Sequence, residues 1–304
     1  MRHLPDMLSQ GQSGVMLFSI TPPRRSATEE RVREIAEVTL ARLAGLDVDG
    51  LILYDIDDES DRIADERPFP YLPTMDPAVF HAEHLAGWDR PAVIYRCVGK
   101  YDEDDLRSWL AGVDAGRVLS VFVGASSSDK PVRTNLRRAQ ALRDECRPDL
   151  PLGAVVIGDR HEEHLRMLAK QDRGCSFFIT QVIYDRAETE KMLTAYALTC
   201  SERGLAPRPV IFTLSLCGSP KTLEFLEWLG VSVPPRVHET LRTSPDPIAD
   251  SSAECLAIAR YLIDCCTRLG VPFGFNVESV SIRKAEIEAA IRLTAEVSAL
   301  LRGI

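Results

Sequence analysis

Eight short runs of β-branched, aromatic and other apolar residues recur along this chain, with longer stretches of helical period between them. The runs lie at Val15–Ile20, Gly50–Tyr54, Ala92–Cys97, Val118–Val123, Gly153–Ile157, Ser176–Gln181, Pro209–Thr213 and Phe273–Val277. Their apolar character is continuous instead of alternating, as it must be for strands covered on both faces, and parallel sheets provide that cover. Helical spacing is read at Thr28–Leu43, Asp102–Leu110, Thr134–Cys146, His161–Lys170, Glu188–Arg203, Lys221–Leu229 and Ile282–Leu301. This alternation predicts an α/β fold of one domain over residues 1–304, a (β/α)8 TIM barrel. A doubly wound open sheet is the alternative; it wants a glycine-rich phosphate turn after an early strand, and the sequence has none.

Two segments break the rhythm. Asp57 to Trp88 is crowded with charge, proline and aromatic residues, and Val233 to Ser251 carries four prolines. Long loops in compact domains are commonly functional. Because the first follows the second strand, residues from about 56 to 90 are expected to fold over the C-terminal mouth of the barrel, where barrel active sites lie. With 45% hydrophobic and 27% charged residues the chain can build a large core. Its formal net charge of −9 argues against a phosphate-backbone partner, so small molecules are expected and nucleic acid is not. No apolar stretch reaches membrane-spanning length and the first residues lack a secretory pattern, so the reading is a cytoplasmic protein without a membrane partner. The eight cysteines form no CxxC pair and no cysteine-histidine cluster at zinc spacing; they read as reduced, buried hydrophobes, and no metal is expected. The apolar spacing of the last helix suits packing on the barrel and would also serve a homo-oligomer.

Three segments carry more specific information. The first run ends Phe18-Ser19-Ile20-Thr21-Pro22-Pro23-Arg24, the sixth reads Phe178-Ile179-Thr180-Gln181-Val182-Ile183-Tyr184-Asp185, and the seventh strand-helix unit closes on Gly230-Val231-Ser232-Val233-Pro234. In this order they resemble the methylenetetrahydrofolate reductase family, whose motifs read F-E-F-F-P-P-[KR], I-T-Q-x-x-[FY]-D and G-V-x-[IV]-P. The resemblance implies a TIM-barrel, NAD(P)H-linked oxidoreductase acting on a one-carbon unit carried by tetrahydrofolate, with FAD or NAD(P)H as the reductant. The same fold hosts other chemistries.

The family's glutamate in the first motif supplies the acid that opens the folate bridge, and here that position is Ser19. A serine hydroxyl is no general acid near neutral pH. The family's strand 4 motif R-G-D corresponds to Val123-Gly124-Ala125, so a second carboxylate is missing, which argues against tight flavin binding. Asp55, at the end of the second run beside Tyr54, is the first candidate for a substitute acid or pterin anchor, against a reading as a loop cap. Glu278, just past the eighth run, is the second. By the resemblance, Gln181 contacts the pterin through an amide that both donates and accepts. Ser19, Tyr54, Phe212 and Thr213 complete the candidate substrate site; Tyr184 and Asp185 follow in the same motif and serve equally to start a helix. For a cofactor the candidates are Tyr95 and Arg96, the serine-rich loop with Gly124 and Ser126, and Asp159, which stands in a polar group with Arg160 and His161. Arg24 and Arg25 suit the glutamate tail of a folate. Three readings follow: a methylenetetrahydrofolate reductase-like enzyme with a non-standard site, a flavin-free folate-dependent methyl- or hydroxymethyl-transferase, and a non-catalytic folate-binding subunit.

Overall fold

Each apolar run becomes a strand whose ends lie within two residues of the run's own. The computed structural model describes residues 3–60, 64–125 and 131–303. In chain order the elements are α1 (Leu4–Ser9), β1 (Val15–Ile20), α2 (Glu29–Leu43), β2 (Gly50–Leu53), α3 (Pro77–His84), β3 (Ala92–Cys97), α4 (Glu103–Gly112), β4 (Val118–Val123), α5 (Leu136–Cys146) and β5 (Leu152–Val156). They continue with α6 (Glu163–Asp172), β6 (Cys175–Val182), α7 (Arg186–Glu202), β7 (Val210–Ser215), α8 (Pro220–Trp228), α9 (Pro235–Thr243), α10 (Pro247–Leu269), β8 (Phe273–Glu278) and α11 (Lys284–Arg302). The strands form a closed barrel in the order β1-β2-β3-β4-β5-β6-β7-β8, the (β/α)8 TIM fold. Polar side chains start the helices where the sequence offers them: Thr28, Asp76, Asn135, Asp185, Ser219 and Asp246 each accept from the first turn, and Asp102 forms a reciprocal capping box with Asp105.

Three helical features correct the expectation. Residues 57–88 contain α3, whose first turn takes Pro77. The stretch expected to loop from Val233 to Ser251 is helical, as α9 and the start of α10. The 23-residue α10, which packs beside α7 and α11, adds to the expected Lys221–Leu229 helix, which follows β7 as α8.

The chain divides into two compact units. One comprises Ser19–Leu46 and Gly50–Ala154, the other Met1–Phe18, Asp47–Asp49 and Val155–Ile304. In the first, the loop after β1 is clipped to the segment ahead of α3: Arg25 N donates to Pro73 O at 2.8 Å, Met75 N to Pro23 O at 2.8 Å, and Arg24 bridges Thr74. In the second, β8 pairs with β1 and β7, and Gly274 marks the tightest point. A Cβ at Gly274 would lie 2.5 Å from Val15 O and 2.8 Å from Ile211 Cδ1, so only glycine lets the strands pair there. The last helix buries its apolar stripe, Ala289, Leu293, Val297 and Leu301, against its neighbours β8 and α10.

Candidate functional site

At the C-terminal ends of β1, β2 and β3 the first unit gathers Ser19, Tyr54 and Tyr95. Ser19 Oγ donates to Tyr54 OH at 3.2 Å, and the Tyr54 and Tyr95 rings meet edge to face with centroids 4.9 Å apart. These three expected residues are therefore brought together. Ser19 and Tyr95 are buried and Tyr54 is half-buried.

Beside them lies a buried charge network of which only Asp55 and Arg96 had been singled out. The Asp55 side chain is 0% exposed; one oxygen is ion-paired with Lys100, and the other accepts Cys97 N at 2.8 Å and Tyr101 OH at 2.9 Å. Lys100 Nζ also donates to Ile56 O at 3.0 Å. The Tyr101 hydroxyl lies 3.2 Å from Asp76 Oδ2, and the same oxygen receives Arg96 at 2.5 Å. Burial pushes the Tyr101 phenol well up, so it stays a neutral donor whose one proton serves two carboxylates. Burial alone would raise Asp76, but the charge and hydrogen bond of Arg96 and the amides of Ala78 and Val79 hold it below the usual carboxylate range.

Asp55, expected as a substrate-facing acid, is thus an enclosed anchor with both oxygens engaged. Arg96, expected to meet a cofactor, is turned into the helix layer, where its guanidinium lies 4.4 Å from the Trp109 ring centroid and 4.8 Å from that of Tyr101. The alternation of β3 explains the difference, since Tyr95 and Arg96 must face opposite sides. Gly124 follows β4 and is half-buried, whereas Ser126 and the rest of the expected anion loop lie outside the described residues. With Arg96 committed and Ala125 in place of an acid, the described residues of this group do not suit a flavin.

In the second unit a bulge in β6 decides where Gln181 goes. The register with β7 slips between Ile179 and Val182, and Thr180 Oγ1 accepts Thr213 N at 2.9 Å. Gln181 is carried aside, and its Nε2 donates to Leu229 O at 2.7 Å, at the end of α8. It lines a narrow cleft together with Gly158, Asp159, Asp185, Thr189 and Ser232. Asp185 caps α7 through the amides of Ala187 and Glu188, which is its helix-starting role. His161 is 91% exposed.

Phe212, expected as a wall for the ligand ring, is fully buried against Phe275 with centroids 5.7 Å apart, and belongs to the core. Thr213 faces the other way and accepts from Asn276 Nδ2 at 3.3 Å. Glu278 is the last residue of β8, not a loop residue, and stands in register with Ser215.

Lys100, Tyr101, Asp76, Ser215 and Glu286 went unrecognised in the sequence. Asp76-Pro77 is a legible helix start, an acceptor followed by proline at N1. Glu286 has no sequence signal: 1% exposed, it accepts Gly218 N at 3.2 Å and Thr222 Oγ1 at 3.3 Å, and a side chain at residue 218 would collide with it. Among the described residues no group of three or more His, Cys, Asp or Glu is placed to hold a metal ion, and no helix is long and apolar enough to cross a membrane.

Strand order defines a TIM-barrel protein, a class whose active sites lie at the C-terminal ends of the strands. Fold-level likeness extends to the FMN-bound oxygenating constituent of 3,6-diketocamphane monooxygenase from Pseudomonas putida (TM-score 0.59, 9% identity, 94% of this chain and 98% of that one). It extends also to the tryptophan synthase complex from Pyrococcus furiosus (TM-score 0.51, 14% identity, 96% and 99%). The chain belongs to the same family as an uncharacterized protein from Clostridium thermocellum that binds two copies of 5-methyl-5,6,7,8-tetrahydrofolic acid. The two are 37% identical with a TM-score of 0.86, over 98% of this chain and 99% of that one. The chain matches no protein-family model and no curated protein.

Proposed function

We propose that this chain is a cytoplasmic enzyme that binds a reduced folate and acts on its one-carbon unit as a flavin-free relative of the methylenetetrahydrofolate reductases. The observation that carries the proposal is the full-length, 37% identical relative that binds 5-methyltetrahydrofolate, which is the product of that reduction. In the forward direction a dihydronicotinamide delivers hydride to the bridging methylene carbon, the bond from that carbon to one folate nitrogen breaks, and the freed nitrogen takes a proton. The Ser19–Tyr54 hydroxyl pair stands where the family keeps its acid, so it orients the pterin and relays a proton from solvent instead of owning one. Tyr95 supports Tyr54 from the side, and Asp55 holds Lys100 and Tyr101. Gln181, tethered through Nε2, offers Oε1 to the ligand.

Calorimetry with 5-methyltetrahydrofolate tests the binding, and the loss of NADH absorbance on adding methylenetetrahydrofolate tests the reaction. A colourless protein that binds the folate and oxidises NADH only with methylenetetrahydrofolate present is the expected result. Failure to bind removes the proposal.

A second reading, a methyl- or hydroxymethyl-transferase or a non-catalytic folate-binding subunit, is favoured by the enclosure of Asp55, the expected substitute acid, by Lys100, Cys97 and Tyr101. Folate binding without nicotinamide oxidation supports that reading over the first.

A further inference from the structure

The narrow cleft that holds Gln181 is closed on one side by a segment attached more loosely than its other walls. Gly158, Asp159, Tyr184 and Asp185 stand just past the ends of β5 and β6, and Asp185 is fixed there as the cap of α7. Ser232 comes from the turn that leads into α9. The cleft encloses about 20 Å³, room for a water and not for a heterocycle. A flat ring therefore reaches Gln181 Oε1 only if a wall withdraws, and the walls differ in what holds them.

The end of α8 is firm. Gly230 N donates to Glu227 O at 2.8 Å, Val231 N donates to Leu226 O at 3.0 Å, Val231 is buried, and Gln181 Nε2 holds Leu229 O at 2.7 Å. Beyond Val231 the ties thin out. Pro234 and Pro235 have no N–H to donate, and Pro234 as N-cap offers α9 no side-chain acceptor. Among the described residues of α9, Leu241 alone is buried; His238 Nε2 meets Glu227 Oε1 of α8 at 3.3 Å, with both side chains partly exposed. Past α9 the chain is fixed again, where Ser244 Oγ donates to Asp250 Oδ2 at 2.6 Å and accepts Asp246 N at 3.0 Å. Residues 232–243 thus form a flap between two anchored ends, kept down by Leu241 and a solvent-screened pair.

We propose that residues 232–243 gate the Gln181 cleft and swing outward to admit the ring of a reduced folate, an inference that rests on the folate reading. Gln181 serves both sides of the motion: its Nε2 pins the end of α8, so the hinge falls after Val231, and its Oε1 is what the opened cleft exposes. Closed and open forms compete, so the ligand binds only the open fraction, and whatever loosens the flap raises that fraction. Leu241 and His238 then control access from α9 without lining the cleft.

Stopped-flow binding of 5-methyltetrahydrofolate to the full chain, with hydrogen exchange followed by mass spectrometry, tests the gate. Leu241→Ala is expected to raise the association rate constant about tenfold or more, with the dissociation rate constant unchanged. A residue that touched the ligand would move dissociation instead, and one that only stiffened the fold would move neither. In the wild type, saturating ligand should speed exchange of the amides of residues 236–243 by about threefold or more, while the strands keep their protection. Association as slow as wild type in folded Leu241→Ala, or exchange over 236–243 that ligand leaves unchanged or slows, overturns the gate and leaves folate binding standing. Wild-type protein that does not bind 5-methyltetrahydrofolate removes the folate reading and the gate with it. Should Leu241→Ala fold poorly, His238→Ala at the surface carries the same comparison, with about twofold to fivefold faster association expected from the loss of an exposed pair.

Discussion

Asp55 and Asp76 each face a cation, Lys100 and Arg96, and share one phenol proton, so two negative charges and two positive charges are closed into one buried network. Removing one partner from a buried pair leaves the other charge uncompensated, which costs about 3–5 kcal/mol. Asp55→Asn is therefore expected to lower stability by that order, read as the shift of the urea midpoint at constant slope. An unmoved midpoint would return Asp55 to the role of a ligand-facing acid. By contrast Arg242 and Glu239, 3.0 Å apart but more than half exposed, should matter little, and Arg242→Ala should cost less than about 1 kcal/mol. Asp76 adds a pH signature. Its folded pKa is lowered, so its contribution is present above the ordinary carboxylate pKa of about 4 and drains away as pH falls through the folded value. Stability of the wild type should consequently fall more steeply below about pH 4 than that of Asp76→Asn. Parallel acid limbs in the two proteins would show that Asp76 is not the group responsible.

Among the strands, the pairing of β1 with β8 depends on a missing side chain. A methyl group at residue 274 meets the backbone oxygen of Val15, which cannot rotate away, so Gly274→Ala should cost about 1–3 kcal/mol or more through overpacking. A thermal midpoint equal to wild type would mean that the strand ends shift freely. All eight strands were legible because burial on both faces writes continuous apolar runs such as Val118–Val123. The prolines misled. Pro77, Pro235 and Pro247 read as loop residues, yet each sits in the first turn of a helix, where its lost N–H had no partner to forfeit. The site was half legible: Ser19, Tyr54 and Tyr95 come together as expected, since strand ends alone set their place. Two things stayed hidden for a physical reason. Which side Arg96 faces depends on the register of β3 against β4, and the bulge that re-aims Gln181 inserts an extra residue that no periodicity in the β6 sequence announces.

For the molecule as a whole, the eight cysteines report on how well the helices close over the barrel. All are free thiols; seven are buried and Cys146 alone is half-buried. The thiolate is the reactive form, and burial raises the cost of making it. It pushes Cys217 up to about 11 and Cys255 up to about 12, and Cys97 and Cys266 are raised as well. At pH near 8 a disulfide-exchange reagent such as Ellman's reagent should therefore find about one fast thiol in the native protein, against all eight once urea has unfolded it. Access and pKa act in the same direction here, so the contrast should be large, and Cys146→Ser should abolish the fast phase without moving the thermal midpoint. Three or more fast thiols in native buffer would mean that the layer formed by α7, α10 and α11, which encloses Cys200, Cys255, Cys265 and Cys266, opens on the timescale of the reaction.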